Sequence, residues 1–262
     1  MEKNFILFFK LLLNDSSLIR KAPIIVPMTH LKITTLTLSH FQQNTRLLFN
    51  ENENLVFIID PGFDENRIIK EACLDKYSLM GIILTHAHLD HAGAVQPLLT
   101  QLKHKYHLSP PLYYHSYETP IAQAISMLAD QYGLTGYYHN APQATEWLDN
   151  MNSLSLGMMQ FTILVTPGHS PGHTCLYTTP KTTTLSGDFT ESTLPEQPIL
   201  IAGDTLFQGS IGRTDLPLAN HEQLLNSIQS QLLVLPENTL VLPGHGPNTT
   251  IGQEKKSNPF LI

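Results

Sequence analysis

Short apolar runs that stop abruptly on glycine, histidine or aspartate set the strongest limit on how this chain can fold. "LVFIID" (55–60) runs into "PG", and "LMGIILT" (79–85) runs into "HAH". In the second half "FTILVT", "PILIAGD" and "TLVLPGH" end in the same manner. Runs of this length, bounded by turn residues, are buried strands. "LKITTLTL" and "TRLLFN" alternate in strand fashion, and "PLYYH" and "CLYTT" add shorter strands. Helical patterns lie between them. "DENRIIKEACLDK" places Ile68, Ile69, Ala72 and Cys73 on one face. A second helix is expected from about His91 to Lys103, a third over "ETPIAQAISMLADQY", and a fourth over "NHEQLLNSIQSQLL". Asn220 is placed to cap the last, with Gln223 three residues on. Buried strands followed by helices in both halves predict an α/β chain of mixed sheets with helices packed outside. The polar, Thr-rich stretch 180–197 reads as an exposed insertion that could form a hairpin.

Composition narrows the function classes. The 262 residues, 42% of them hydrophobic, can bury a sizeable core. A formal charge of −7 with no long basic run disfavours nucleic-acid binding. Cys73 and Cys175 are the two cysteines and neither sits in a CxxC. That fits a reducing, cytoplasmic setting better than a disulfide framework. The N-terminal "MEKNFILFFKLLL" is interrupted at Lys10 and is too short for a membrane span. Residues 1–27 are read as an extension or a short amphipathic helix, with the domain over 28–262. No membrane partner is expected.

The thirteen histidines are the unusual entry in the composition. "THAHLDHAGA" places His86, His88, Asp90 and His91 directly after a buried strand. His169 follows in "VTPGH", Asp204 in "IAGD" and His245 in "LPGH". Each lies at a strand end beside glycine, where backbones can approach closely. Zinc takes imidazole nitrogen and carboxylate oxygen at about 2.0–2.2 Å, and a catalytic site keeps one position for water. In an extended segment positions i and i+2 point the same way, so His86 and His88 can grip one ion. Asp90 and His91, at the turn into the helix, can face a second ion. His169 and His245 supply a histidine as third ligand, one to each ion, and Asp204 a carboxylate able to bridge. HxHxDH followed in order by strand–GH, strand–GD and strand–GH is a highly specific pattern.

On these motifs the chain resembles the metallo-β-lactamase fold superfamily, over nearly everything from Met28 to Ile262. Within it, "GDTLFQGSIGRTDLP" and "LPGHGPNTTIGQEKKSNPFL" resemble the compact glyoxalase II-like hydrolases. The resemblance implies a four-layer αββα sandwich with metals between the two sheets at one edge. It implies that His86, His88 and His169 bind one metal, that Asp90, His91 and His245 bind the second, and that Asp204 bridges. Two divalent ions are implied, zinc first, with iron or manganese as alternatives. "LSGD" offers Asp188 as a rival bridge. Asp204 has the longer apolar strand before it and the family-like continuation after it, so Asp188 is read as a turn residue. His173 is expected to hydrogen-bond behind the ligands. Asp60 is read as a turn residue or one that orients a ligand histidine. Arg213 and Asp215 are read as a loop-locking ion pair. His30, His40, His104, His107, His139 and His221 are read as solvated, and Tyr132, Tyr137 and Tyr138 as core edge.

The expected chemistry is attack of a metal-bridging hydroxide on a carbonyl carbon, with Asp90 orienting the nucleophile. No extra acid is evident. A thiolate of pKa about 8–9 departs without one, which fits thioesters better than amides. The resemblance implies hydrolysis of S-2-hydroxyacylglutathione, such as S-D-lactoylglutathione, and so a part in methylglyoxal detoxification. Two-domain glyoxalase II enzymes hold glutathione with a C-terminal helical domain. Here the sequence closes on "QEKKSNPFLI", with Lys255 and Lys256, so a looser substrate grip is expected. Persulfide dioxygenases share the histidine cluster and "GRTD" but use one Fe(II) on a His–His–Asp set, and "PGHGP" argues for a full second site. Lactonases would share nearly every ligand. Relatives that hydrolyse antibiotics usually carry Cys or Ser where Asp204 stands. A non-enzymatic scaffold would have no need of seven intact ligands.

Overall fold

The computed structural model describes residues 29–188 and 191–262. The extension expected over 1–27 lies outside them. The described residues open with an antiparallel meander, β1 (His30–Leu38), β2 (Gln43–Asn50) and β3 (Leu55–Ile59). Then β4 (Ser78–Ile83), β5 (Leu112–Tyr114) and β6 (Glu146–Trp147) add in parallel. Next come β7 (Ser153–Leu156), β8 (Met159–Val165) and β9 (Thr174–Thr178), an antiparallel run that begins the second sheet. The pair β10 (Thr182–Gly187) and β11 (Ser192–Leu194) returns to the first sheet beside β1. β12 (Ile199–Gly203) rejoins the second sheet, β13 (Leu206–Phe207) and β14 (Ser210–Ile211) form a small ribbon, and β15 (Leu240–Pro243) and β16 (Thr249–Thr250) complete the set. The first sheet has eight strands, ordered β11-β10-β1-β2-β3-β4-β5-β6. The second has six, ordered β16-β15-β12-β9-β8-β7.

The apolar runs are continuous because both faces of their strands are covered. In β3, Phe57 and Ile59 point into the space between the sheets. They meet Leu156, Phe161, Ile163 and Ile201 of the second sheet. Val56 and Ile58 point outward to α1 (Glu65–Ala72), which returns Ile68, Ile69 and Ala72. The same division holds in β12. Ile199 and Ile201 face the first sheet, while Leu200 and Ala202 face the outer layer, where Leu224, Ile228 and Leu232 pack. Helices, sheet, sheet, helices is the αββα order that the resemblance implies.

Several elements differ from the expectation. The helix expected from about His91 to Lys103 is two, α2 (Leu89–Ala92) and α3 (Val95–Tyr106). Pro97 has no N–H and would break one continuous helix at its centre. It is tolerated because α3 restarts two residues before it, while the Ala94 N–H turns to Pro61 O at 3.1 Å. The next helix is likewise split, into α4 (Thr119–Ala122) and α5 (Ile125–Gln131). Cys73 is not on the buried face of α1. It caps that helix in the left-handed region at φ 48° and is exposed. The 180–197 stretch is not a mere exposed insertion: β10 pairs with β1 in parallel and Thr183 is fully buried. Its β-branched threonines suit a pleated, half-covered edge. Asn220 does cap α6 (His221–Ser227), accepting from the Gln223 N–H at 2.9 Å. After α6 the chain passes through one π-helical turn, Ile228–Leu232. The chain closes with α7 (Ile251–Ser257).

Phe161 sits at the centre of the inter-sheet layer and is 1% exposed. Truncation there removes an aromatic ring that neighbours cannot replace. Phe161→Ala is expected to cost about 3–5 kcal/mol, measured by chemical denaturation.

Candidate metal centre

The carboxyl ends of β3, β4, β8, β12 and β15 gather at one edge of the sandwich. Asp60, His86, His169, Asp204 and His245 lie in the segments that leave them. His88 stands in extended conformation (φ −62°, ψ 157°) as the N-cap of α2, with Asp90 and His91 inside that single turn. The crowding fixes glycine at two positions. A Cβ on Gly244 would strike Asp204 Oδ1 and His91 Cε1, and one on Gly62 would strike the Asp90 carbonyl.

All seven residues singled out in the sequence converge. His86, His88 and His169 offer nitrogens within 4.8 Å of one another, as do the donor atoms of Asp90, His91 and His245, and those of His86, His91 and Asp204. His169 Nε2 lies 2.9 Å from His88 Nδ1 and 3.3 Å from His86 Nε2. His245 Nε2 lies 3.3 Å from His91 Nε2 and 3.1 Å from Asp90 Oδ2. Asp204 stands between the triplets, its Oδ1 3.3 Å from His91 Nε2. Its Oδ2 lies 3.7 Å from His169 Nε2 and 3.5 Å from His245 Nε2.

Three observations fit this donor set to divalent cations. Metal–nitrogen bonds of about 2.0–2.1 Å at tetrahedral angles place ligand atoms roughly 3.3 Å apart, which is the spacing found. The second nitrogen of four histidines faces an acceptor. His91 Nδ1–H donates to Asp60 Oδ2 (3.0 Å), His169 Nδ1–H to Arg213 O (2.9 Å) and His245 Nδ1–H to Phe41 O (3.1 Å). Thr85 Oγ1, which donates to Asp60 Oδ2, accepts from His86 Nδ1–H (3.1 Å). The Nε2 lone pairs are thereby turned toward one another, an arrangement that a shared cation satisfies. Finally, Asp204 Oδ1 is buried and accepts no hydrogen bond.

Charge follows the same pattern. Burial pushes the His86 imidazole well below its ordinary value, reinforced by His91 and His88. Burial, with His169 beside it, takes His88 down to about 3. Both are neutral donors at physiological pH. Burial alone would lower His91, but Asp204, Asp90 and Asp60 outweigh it and hold the imidazole well above its ordinary value. His245 is raised against its burial by Asp90 and Asp204. Asp204 is held far below the carboxylate range, His91, His245 and His169 overcoming the effect of burial. Protons on both His91 and His245 would set two cations 3.3 Å apart. One divalent cation between them answers both lone pairs.

The supporting residues were only partly legible. Asp60 takes the Thr85 N–H (2.7 Å), the Thr85 hydroxyl (2.7 Å) and the His91 ring, and so orients a candidate ligand. His173 accepts the Asp204 N–H at 3.0 Å and meets the Thr166 and Thr205 hydroxyls, both at 2.9 Å, behind the centre. Asp188 belongs to none of the donor triplets: it pairs with Arg67 and accepts the Thr37 N–H. Arg213 and Asp215 form a bidentate pair at 2.7 Å on each arm. Tyr138 is buried, whereas Tyr132 and Tyr137 are exposed. His40, His104, His107, His139 and His221 are exposed, while His30 is half-buried against Glu51. Two residues were missed. Glu118, fully buried, accepts the Ala87 N–H (2.8 Å) and the Gly172 N–H (2.7 Å), tying the His86–His88 loop to the His169 loop. Arg46 is buried under the centre with its guanidinium on Asn44 O (3.3 Å) and Pro243 O (2.7 Å). Burial takes it down to about 10, against the pull of Asp60 and Asp204, so it stays cationic. Arg46 left no clear signal, since its strand is also polar at Gln43, Asn44, Thr45 and Asn50. Glu118 left none, since its partners lie 31 and 54 residues away.

The centre opens into a cleft of about 820 Å³. The profile of the metallo-beta-lactamase superfamily matches residues 39–193 and 191–245, and the chain belongs to that superfamily. It is a metallo-hydrolase fold that binds divalent metals at a His/Asp cluster of this kind. The chain is 34% identical over 233 residues to "Hydroxyacylglutathione hydrolase GloC" of Haemophilus influenzae, covering 88% of this chain and 98% of that one. It is similar to the crystal structure of BLEG-1 B3 metallo-beta-lactamase, with a TM-score of 0.71 and 35% identity over 88% of this chain and 99% of that one. It is also similar to TTHA1623 in a di-iron-bound form, with a TM-score of 0.67 and 34% identity over 87% and 99%. Among the described residues no helix is long and apolar enough to cross a membrane.

Two outcomes follow from the centre. An amide at position 60 cannot accept from the Thr85 N–H, the Thr85 hydroxyl and the His91 ring together. Asp60→Asn is therefore expected to lower metal affinity by about 10–100-fold, read by competition with a chromogenic chelator. His91 and His245 bind protons more tightly than ordinary histidines, and a metal must displace those protons. Adding Zn²⁺ to metal-free protein at neutral pH is expected to release roughly one or two protons per chain, with affinity falling as pH falls. A pH-indicator titration in weak buffer measures both.

Proposed function

We propose that the protein is a metal-dependent thioester hydrolase acting on S-2-hydroxyacylglutathione, such as S-D-lactoylglutathione, to give a 2-hydroxy acid and glutathione. The observation that carries the reading is the pair of donor triplets joined by Asp204. The likeness to the Haemophilus influenzae hydroxyacylglutathione hydrolase supports the substrate. In this reading His86, His88 and His169 would hold one ion, Asp90, His91 and His245 would hold the other, and Asp204, placed between the triplets, would serve both. Zinc is the first choice, with iron, as in the TTHA1623 structure, or manganese as alternatives.

Two divalent ions bound there would supply a water-derived nucleophile at neutral pH and polarise the substrate carbonyl. The chain's own residues do the rest. Asp90 lines the cleft and reaches His245 Nε2 at 3.1 Å through Oδ2. Burial would raise its carboxyl, but His91 and His245 hold it below its usual value. It is therefore ionised, and can orient the attacking water and accept its proton. The water oxygen bonds to the carbonyl carbon, the carbon–sulfur bond breaks, and the electron pair leaves on sulfur. The thiolate needs no strong acid. Asp60, Arg213 O and Phe41 O keep the histidine rings from rotating as charge moves.

The likeness to BLEG-1 favours a second reading, opening of a β-lactam ring, which needs the same attack on a carbonyl. Elemental analysis with parallel assays separates the readings. Two metals per chain and turnover of S-D-lactoylglutathione are expected, with Asp90→Asn lowering kcat by about 10²–10⁴-fold. Turnover of a β-lactam alone would transfer the assignment. One iron with oxygen uptake on glutathione persulfide would replace it by a dioxygenase.

A further inference from the structure

The cleft above the metal centre is built for an apolar group. Its floor is His88, Asp90, His169, Asp204 and His245. One wall comes from α4 and α5, through Ile121, Ala124, Met127 and Leu128. The facing wall is Phe207, Ile211, Leu216 and Leu218. Met127 is 56% exposed and Leu218 is 59% exposed, so large apolar side chains of the lining, one from each of the two segments, face water. Paired exposure of this kind marks a surface that a ligand covers.

Charge on the walls points the same way. Among the described residues that line the cleft, Arg213 alone is Lys or Arg, and Asp215 already holds it through both oxygens. Lys255 and Lys256 lie in the last turn of α7 and do not line the cleft, and Lys256 reaches Glu237 at 3.6 Å. A glutathione moiety, with two carboxylates and one ammonium, finds no free cation on these walls.

We propose that the cleft is an acyl-chain site, and that among the S-2-hydroxyacylglutathiones of the reading above it prefers those whose acyl group extends as a straight apolar chain between α5 and the Leu216–Leu218 segment, with the thiol moiety toward solvent. The proposal rests on the carbonyl-hydrolase reading of the floor and names the substrate class that the walls select. The carbonyl carbon lies over Asp90 and Asp204, and the chain runs outward past Ile121 and Ile211 to Met127 and Leu218.

The increment per methylene tests it. Straight-chain carboxylates from butanoate to decanoate are titrated into metal-loaded protein by calorimetry. The carboxylate is common to the series, so the increment reads the chain alone. Affinity is expected to rise about two- to fourfold per methylene, the upper figure corresponding to full burial. Met127→Glu and Leu218→Glu, both at exposed positions of the lining, are each expected to flatten the slope. The same series as S-acylglutathiones, acetyl to octanoyl, is expected to show kcat/KM rising in parallel. A flat affinity series, or a slope unchanged in both variants, overturns the acyl-chain site whatever the turnover. A rising affinity series with every thioester inert sustains the site and instead removes the thioester reading.

Discussion

The Asp60 carboxylate is the interaction on which the centre depends. It sits at the end of β3 in the left-handed region, at φ 50°, and its two oxygens collect the Thr85 N–H, the Thr85 hydroxyl and the His91 ring. One carboxylate thus joins two parallel strands, sets the path of the chain into His86, and fixes which nitrogen of His91 faces the cleft. The Thr85 hydroxyl passes the same constraint to His86. Asp60 is itself buried, and so is Asp204. Arg46 lies beneath both as a buried cation, which offsets part of the cost of holding two carboxylates out of water.

The two sheets meet at this edge through the backbone as well. The Asn44 N–H donates to Gly244 O at 2.7 Å, and Asn44 Nδ2 reaches Pro243 O and Gly246 O. The loop that presents His245 is therefore tied to β2 of the opposite sheet. Held there, Gly244 has no room for a side chain, because Asp204 Oδ1 and His91 Cε1 stand against it.

The site was more legible in the sequence than the elements around it. The first four proposed ligands share six consecutive residues just beyond β4, and His169, Asp204 and His245 each follow a glycine at a strand end, so each signal is contained within a few residues. The strands themselves read well where both faces are apolar, as in β3 and β12. Elements were misjudged where a distant partner decides. The Thr-rich stretch becomes β10 because β1, about 150 residues earlier in the chain, offers it an edge. The helix after His91 splits because Pro97 must fall in a first turn and Pro61 waits for the Ala94 N–H. Glu118 and Arg46 carry no local pattern, and only the folded chain shows what they hold.

The Glu118 clamp has a consequence for how metal arrives. Its carboxylate ties the backbone between His86 and His88 to the backbone beyond His169, and it does so without any metal. Loops from both halves of the chain are thus brought into register by protein groups alone. Part of the ordering that a divalent ion would otherwise have to impose on these loops is supplied by a single carboxylate of the chain itself.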